Sequence, residues 1–175
     1  MRWIPFIILL YVGAVVQTTI APVVEIRTIR PDLLMILAVY YALHAQRYDA
    51  LLACWCVGFL IDLTSIGYAS HSNVGIHAVA MGLAGILIVG LRDYTIQDSP
   101  FTQMIYCFLM KLFVTSVMVL HMAYILDVEG VTFRFLAIGF WEAVYTGLLA
   151  PYAFWALRRM RAALGLGPTH RLRMG

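Results

Sequence analysis

The sequence predicts an all-α membrane protein, a bundle of six transmembrane helices, and three observations predict it. The chain of 175 residues is 63% hydrophobic and 12% charged, whereas soluble domains are roughly half apolar and about a quarter charged. Its mean hydropathy of +0.88 leaves no stretch for a sizeable water-soluble domain. The apolar residues also gather into runs near the length a bilayer requires, about 17 to 25 residues. Disordered, collagenous and nucleic-acid-binding modules are excluded by the same composition, since none carries so much Leu, Ile and Val.

The runs are Ile4 to Val24, Pro31 to Ala45, Ala50 to Ser70, Asn73 to Leu91, Phe101 to Leu126 and Phe135 to Leu157. The first follows Arg2 as a secretory signal would, but Pro22 directly after Ala21 and the lack of a small-x-small cleavage site make it an uncleaved anchor. The second is the weak one. Its clean apolar core, Leu33 to Leu43, is short for a crossing, so it reads as a tilted, protein-buried helix or as a re-entrant piece, which would leave five spans. The remaining four are long enough to cross. Short links, Arg47-Tyr48-Asp49 and Arg92 to Pro100, set consecutive helices side by side and antiparallel and leave no extramembrane loop large enough for an active site. The organisation is a single transmembrane domain, 1–157, followed by a basic tail, 158–175.

Orientation follows from the Lys and Arg count on each side. With six spans and the N-terminus inside, the cytoplasmic set is Arg2, Arg47, Arg92 and the arginines Arg158, Arg159, Arg161, Arg171 and Arg173, against Arg27, Arg30 and Arg134 outside. The C-terminus is therefore expected in the cytoplasm, a placement that also holds for five spans with the N-terminus outside. The tail reads as a topology signal and a contact for anionic lipid, not as a nucleic-acid patch.

Three ionisable groups fall inside apolar runs: Asp62, Lys111 and Glu142. Each costs on the order of 2.5 to 3.5 kcal/mol at the centre of a spanning helix, so they are expected to face one another, water or a partner. A rise of 1.5 Å per residue puts Asp62 roughly 18 Å, Lys111 roughly 15 Å and Glu142 about 20 Å from the cytoplasmic side, close enough for one polar layer. Small residues recur beside them at helical spacing: Gly139, Ala143 and Gly147 in the last run, Cys54 and Gly58 before Asp62, and Ala78 with Gly82. Such stripes let backbones approach closely, and they mark runs three, four and six as the packed core.

No metal or cofactor is expected. Cys54, Cys56 and Cys107 lie in apolar runs, and the first two point to nearly opposite sides of a helix. His77 and His121 have no second ligand one turn away and read as interfacial or hydrogen-bonded residues. Gln17, Thr18 and Thr19 are expected to bond to neighbouring helices or to their own carbonyls. Zinc pairs, nucleophile elbows and phosphate loops are all absent from the sequence, so any chemistry would sit between helices.

Two stretches carry more than composition. One is Arg30-Pro31-Asp32-Leu33-Leu34-Met35 and the apolar run it opens. The other is Gly58-Phe59-Leu60-Ile61-Asp62-Leu63, followed by Gly75 and the run from Ile76 to Arg92. In order and spacing they resemble MreD, the rod shape-determining membrane protein family of bacteria. Pro31, Asp32, Gly58, Asp62 and Gly75 match the family pattern; Lys111, Glu142 and the arginine tail fall on no motif of it. The resemblance implies a non-catalytic inner-membrane component of the elongation machinery, bound directly to MreC and through it to MreB, RodA and a class B transpeptidase in lateral peptidoglycan synthesis. It also implies a fold similar to the substrate-binding components of vitamin transporters. That similarity supplies the rival reading, a small-molecule-binding transporter component using Asp62, Lys111, Glu142 and the two histidines. A proton-coupled carrier using the same carboxylates is a third.

Overall fold

A computed structural model describes residues 3–19, 23–26, 29–65, 75–125 and 132–160. They form six α-helices: α1 Trp3–Thr19, α2 Leu33–His44, α3 Arg47–Ser65, α4 Ile76–Leu91, α5 Pro100–Ile125 and α6 Thr132–Arg159, with a 3-10 turn at Arg92–Tyr94. Among the described residues the extended backbone amounts to an isolated antiparallel bridge between Ile26 and Ile29 ahead of α2. Successive helices run in opposite directions. One end of the bundle, the His77 end, gathers the start of α4 and the end of α3, which Asp62 and His77 tie together. At the other, the Arg92 end, Arg47 at the start of α3 meets Asp93 just after α4 at 3.0 Å.

The helix that looked weakest is the centre of the molecule. All of α2 from Leu34 to His44 is buried, and α1, α3, α4, α5 and α6 pack against it. Its aromatic residues lock it in place, with Tyr40 edge-on to Phe154 at 5.3 Å and Tyr41 edge-on to Phe6 at 4.8 Å. At 12 residues, α2 is about 18 Å long, little more than half of a ~30 Å hydrocarbon core. Tertiary burial on every side, not length, stabilises it.

Around α2 the other helices pair off, α3 with α4 and α5 with α6. Runs three, four and six all contribute to the core, which α2 joins, and each small-residue face is spent within its own pair. On α3, a methyl group at Gly58 would stand 2.5 Å from the His77 carbonyl oxygen and 2.7 Å from Ala78 Cα of α4. On α6, Gly139 presses on Thr115 and Gly147 lies against the Met104 carbonyl, both of α5, with Ala143 buried between them. In α4 the tight position is Gly85, where a Cβ would meet Cys54 Sγ at 2.9 Å; at Gly82 it would meet Trp55 at an ordinary 3.6 Å.

The outer surface carries many large apolar side chains. Ile4, Ile7 and Tyr11 of α1, Leu83 and Ile86 of α4, Leu120 of α5 and Leu148 of α6 all stand exposed, which suits hydrocarbon and not water. The segments Ile76–Tyr94 and Pro100–Tyr124 are long and apolar enough to cross a membrane. Arg158 and Arg159, expected in the tail, instead form the last turn of α6. Arg158 bonds to Asp98 and Arg159 lies 4.2 Å above the Trp155 ring. Arg161 and the rest of the tail lie outside the described residues.

Candidate functional site

A helix that begins inside a bundle exposes N–H groups that no water can reach, and those of α2 must be satisfied by protein. Asp32 is its N-cap: Oδ1 accepts from the Met35 amide at 3.0 Å, and its carbonyl accepts from Ile36. The Leu33 amide donates to Gln17 Oε1 of α1 at 2.8 Å, while Gln17 Nε2 donates to the Pro31 carbonyl at 3.1 Å. From the opposite side, Thr146 Oγ1 of α6 accepts the Asp32 amide at 3.1 Å. Two neighbouring helices thus complete the first turn of a third.

The second oxygen of Asp32 faces Lys111. The ammonium lies 3.1 Å from Asp32 Oδ2 and 3.2 Å from Glu142 Oε2, with the side chains of Lys111 and Asp32 each 14% exposed and that of Glu142 23%. The positive end of the α2 dipole and the ammonium both stabilise the Asp32 carboxylate. Three helices meet at this ion centre.

Asp62 bonds to neither Lys111 nor Glu142; its partners are on α4. Asp62 projects from α3 onto the first turn of α4. Oδ2 accepts from the amides of Gly75 and Ala78 at 2.9 and 3.1 Å, and Oδ1 from the amide and Nδ1 of His77 at 3.2 and 2.8 Å. Gly75, with φ +106°, turns the chain into α4 and brings no side-chain cap of its own. A carboxylate supplied by α3 does that work. One turn earlier, Gly58 removes the bulk that would hold the two helices apart. The motif residues of the resemblance, Pro31, Asp32, Gly58, Asp62 and Gly75, therefore all serve helix starts and the contacts beside them.

The ion centre and the Asp62–His77 pair are nonetheless neighbours. Asp32, Lys111 and Glu142 on one side and His77 on the other line a half-enclosed cavity of about 270 Å³, walled by Met35, Met118 and other apolar side chains. At the far end of α2, Arg92 Nη1 donates to the carbonyls of Ala42 and Ala45 at 2.8 and 2.6 Å. Sequence reasoning missed the Asp32–Lys111 pair, the Arg92 cap and the capping of α4 by Asp62. Among the described residues no group of three or more His, Cys, Asp or Glu side chains is arranged to hold a metal, and the nitrogen Nδ1 of His121 is buried without a partner.

A family model described as the rod shape-determining protein MreD matches residues 1–160. Comparison with curated proteins and with solved structures gives no match. With the family model covering most of the sequence, the chain belongs to the MreD family of rod shape-determining membrane proteins.

Proposed function

We propose that the chain is a non-catalytic, multi-pass scaffold of the cell-elongation complex in the bacterial inner membrane. It binds MreC directly and, through the complex, couples MreB, RodA and a class B transpeptidase to lateral peptidoglycan synthesis. One observation carries this reading. The polar atoms of Asp32 and Asp62, the carboxylates within the family motif, are consumed in capping helices and pairing with Lys111 and His77. None is left poised as a nucleophile beside a base. A protein whose motif residues hold helices in register acts by offering helix surfaces to other helices. In this reading the chain is a multi-pass bundle of six spans, or five if α2 is re-entrant, and the Arg92 end faces the cytoplasm. Arg158, Arg159 and Arg161 then lie where anionic headgroups attract them.

Co-expression with a tagged MreC in a rod-forming bacterium tests the proposal. The chain is expected to co-purify with MreC in mild detergent and to keep cells lacking their own MreD rod-shaped. Rods that persist in the absence of any MreD, or solute transport by the purified chain alone, would overturn it.

A further inference from the structure

The cavity beside the ion centre has a defined polar chemistry. Lys111 carries one positive charge against the two carboxylates of Asp32 and Glu142. Asp32 is engaged through both oxygens, by the Met35 amide and by Lys111. Glu142, by contrast, has Lys111 as its single polar partner among the described residues, and it lines the cavity. Across from it, His77 Nδ1 lies 2.8 Å from Asp62 Oδ1, a contact in which the Nδ1–H tautomer donates to the carboxylate. In the neutral ring this leaves Nε2 as an acceptor. With both carboxylates ionised the lining carries one formal negative charge in excess, Thr115 adds a hydroxyl, and Met35, Met118, Met122 and Phe135 supply an apolar wall. A volume of about 270 Å³ falls just below the ~300 Å³ at which drug-sized sites begin, which limits an occupant to a small head group on a short stem.

We propose that this cavity binds a single ammonium group on a short apolar stem, its N–H groups directed at Glu142 and at His77 Nε2. A cation fits where a neutral or anionic head would not, because it balances the excess carboxylate within the bundle. The ammonium could belong to a lipid headgroup or to a free alkylamine; both share this chemistry.

Purified full-length protein in neutral detergent, titrated with n-hexylammonium and in parallel with n-hexanol, tests the proposal by thermal unfolding. Hexylammonium is expected to raise the Tm saturably and hexanol is not. Glu142→Gln, which keeps the Lys111–Asp32 pair, is expected to weaken the hexylammonium response by about tenfold or more, one decade being ~1.4 kcal/mol. Met118→Trp, which fills the cavity and leaves every charge in place, is expected to abolish it. Displacement of hexylammonium by phosphatidylethanolamine in mixed micelles assigns the ammonium to lipid, and displacement by soluble alkylamines alone assigns it to a free solute. Equal protection by hexanol, or an undiminished response in both variants, would overturn the site.

Discussion

Gly58 and Asp62 stand one helical turn apart on α3 and act on the same first turn of α4, one by having no side chain and the other by having a carboxylate. The space at Gly58 is closed by backbone, with the His77 carbonyl and Ala78 Cα both nearer than any real Cβ tolerates, so relief requires α3 and α4 to move apart. Gly58→Ala is expected to cost about 1 to 3 kcal/mol, read as unfolding in detergent micelles. Gly82→Ala, where a methyl group has room, is expected to stay within ~0.5 kcal/mol of the parent or to gain slightly from helix propensity. The motif made Gly58 and Asp62 legible in the sequence, but the partner of Asp62 was not. A depth estimate treats each charge as a height along its own helix, and Asp62 reaches sideways to a helix end. With Ser72 and Asn73 just ahead of Gly75, the sequence offered capping residues of its own and nothing there called for an acceptor from α3.

At the scale of the element, α2 is a half-length helix fixed at both ends by other helices: Gln17, Thr146 and Lys111 around its first turn, Arg92 at its last carbonyls. Arg92→Met would leave the Ala42 and Ala45 carbonyls without that donor, and each such bond to a charged group is worth about 1.5 to 3 kcal/mol. The expected outcome is faster amide hydrogen exchange at the C-terminal turn of α2, with the centre of α5 unchanged and partial recovery in Arg92→Lys. The sequence showed that the second run was too short, and the structure bears out a protein-buried helix there. It did not show Asp32 as a partner of Lys111, because Asp32 was read as the entry to a spanning run and so as a boundary residue. Measured instead from the Arg92 end, the 12 residues of α2 place its start about 18 Å in, and Lys111 lies about 16 Å along α5. The two heights agree once α2 is allowed to begin halfway.

At the scale of the molecule, two tightly packed helix pairs and α1 enclose one short central helix, and Asp32, Lys111 and Arg92 hold it there. The helical fold, the order of the runs and the small-residue face at Gly139, Ala143 and Gly147 were legible because composition and spacing report them directly. Which pairs of helices share which face was not, since a small-residue stripe does not name its partner. The central claim is that Asp32 and Lys111 act as a unit that fixes α2 within the bundle. A double-mutant cycle on purified protein, comparing Asp32→Asn, Lys111→Met and the double variant by equilibrium unfolding in micelles, tests it most directly, because Asn retains the capping oxygen and loses only the charge. Lys111→Met alone is expected to cost about 3 to 5 kcal/mol, and the double variant to show a coupling of about 1 to 3 kcal/mol. Single effects that add to within ~0.5 kcal/mol would contradict the account.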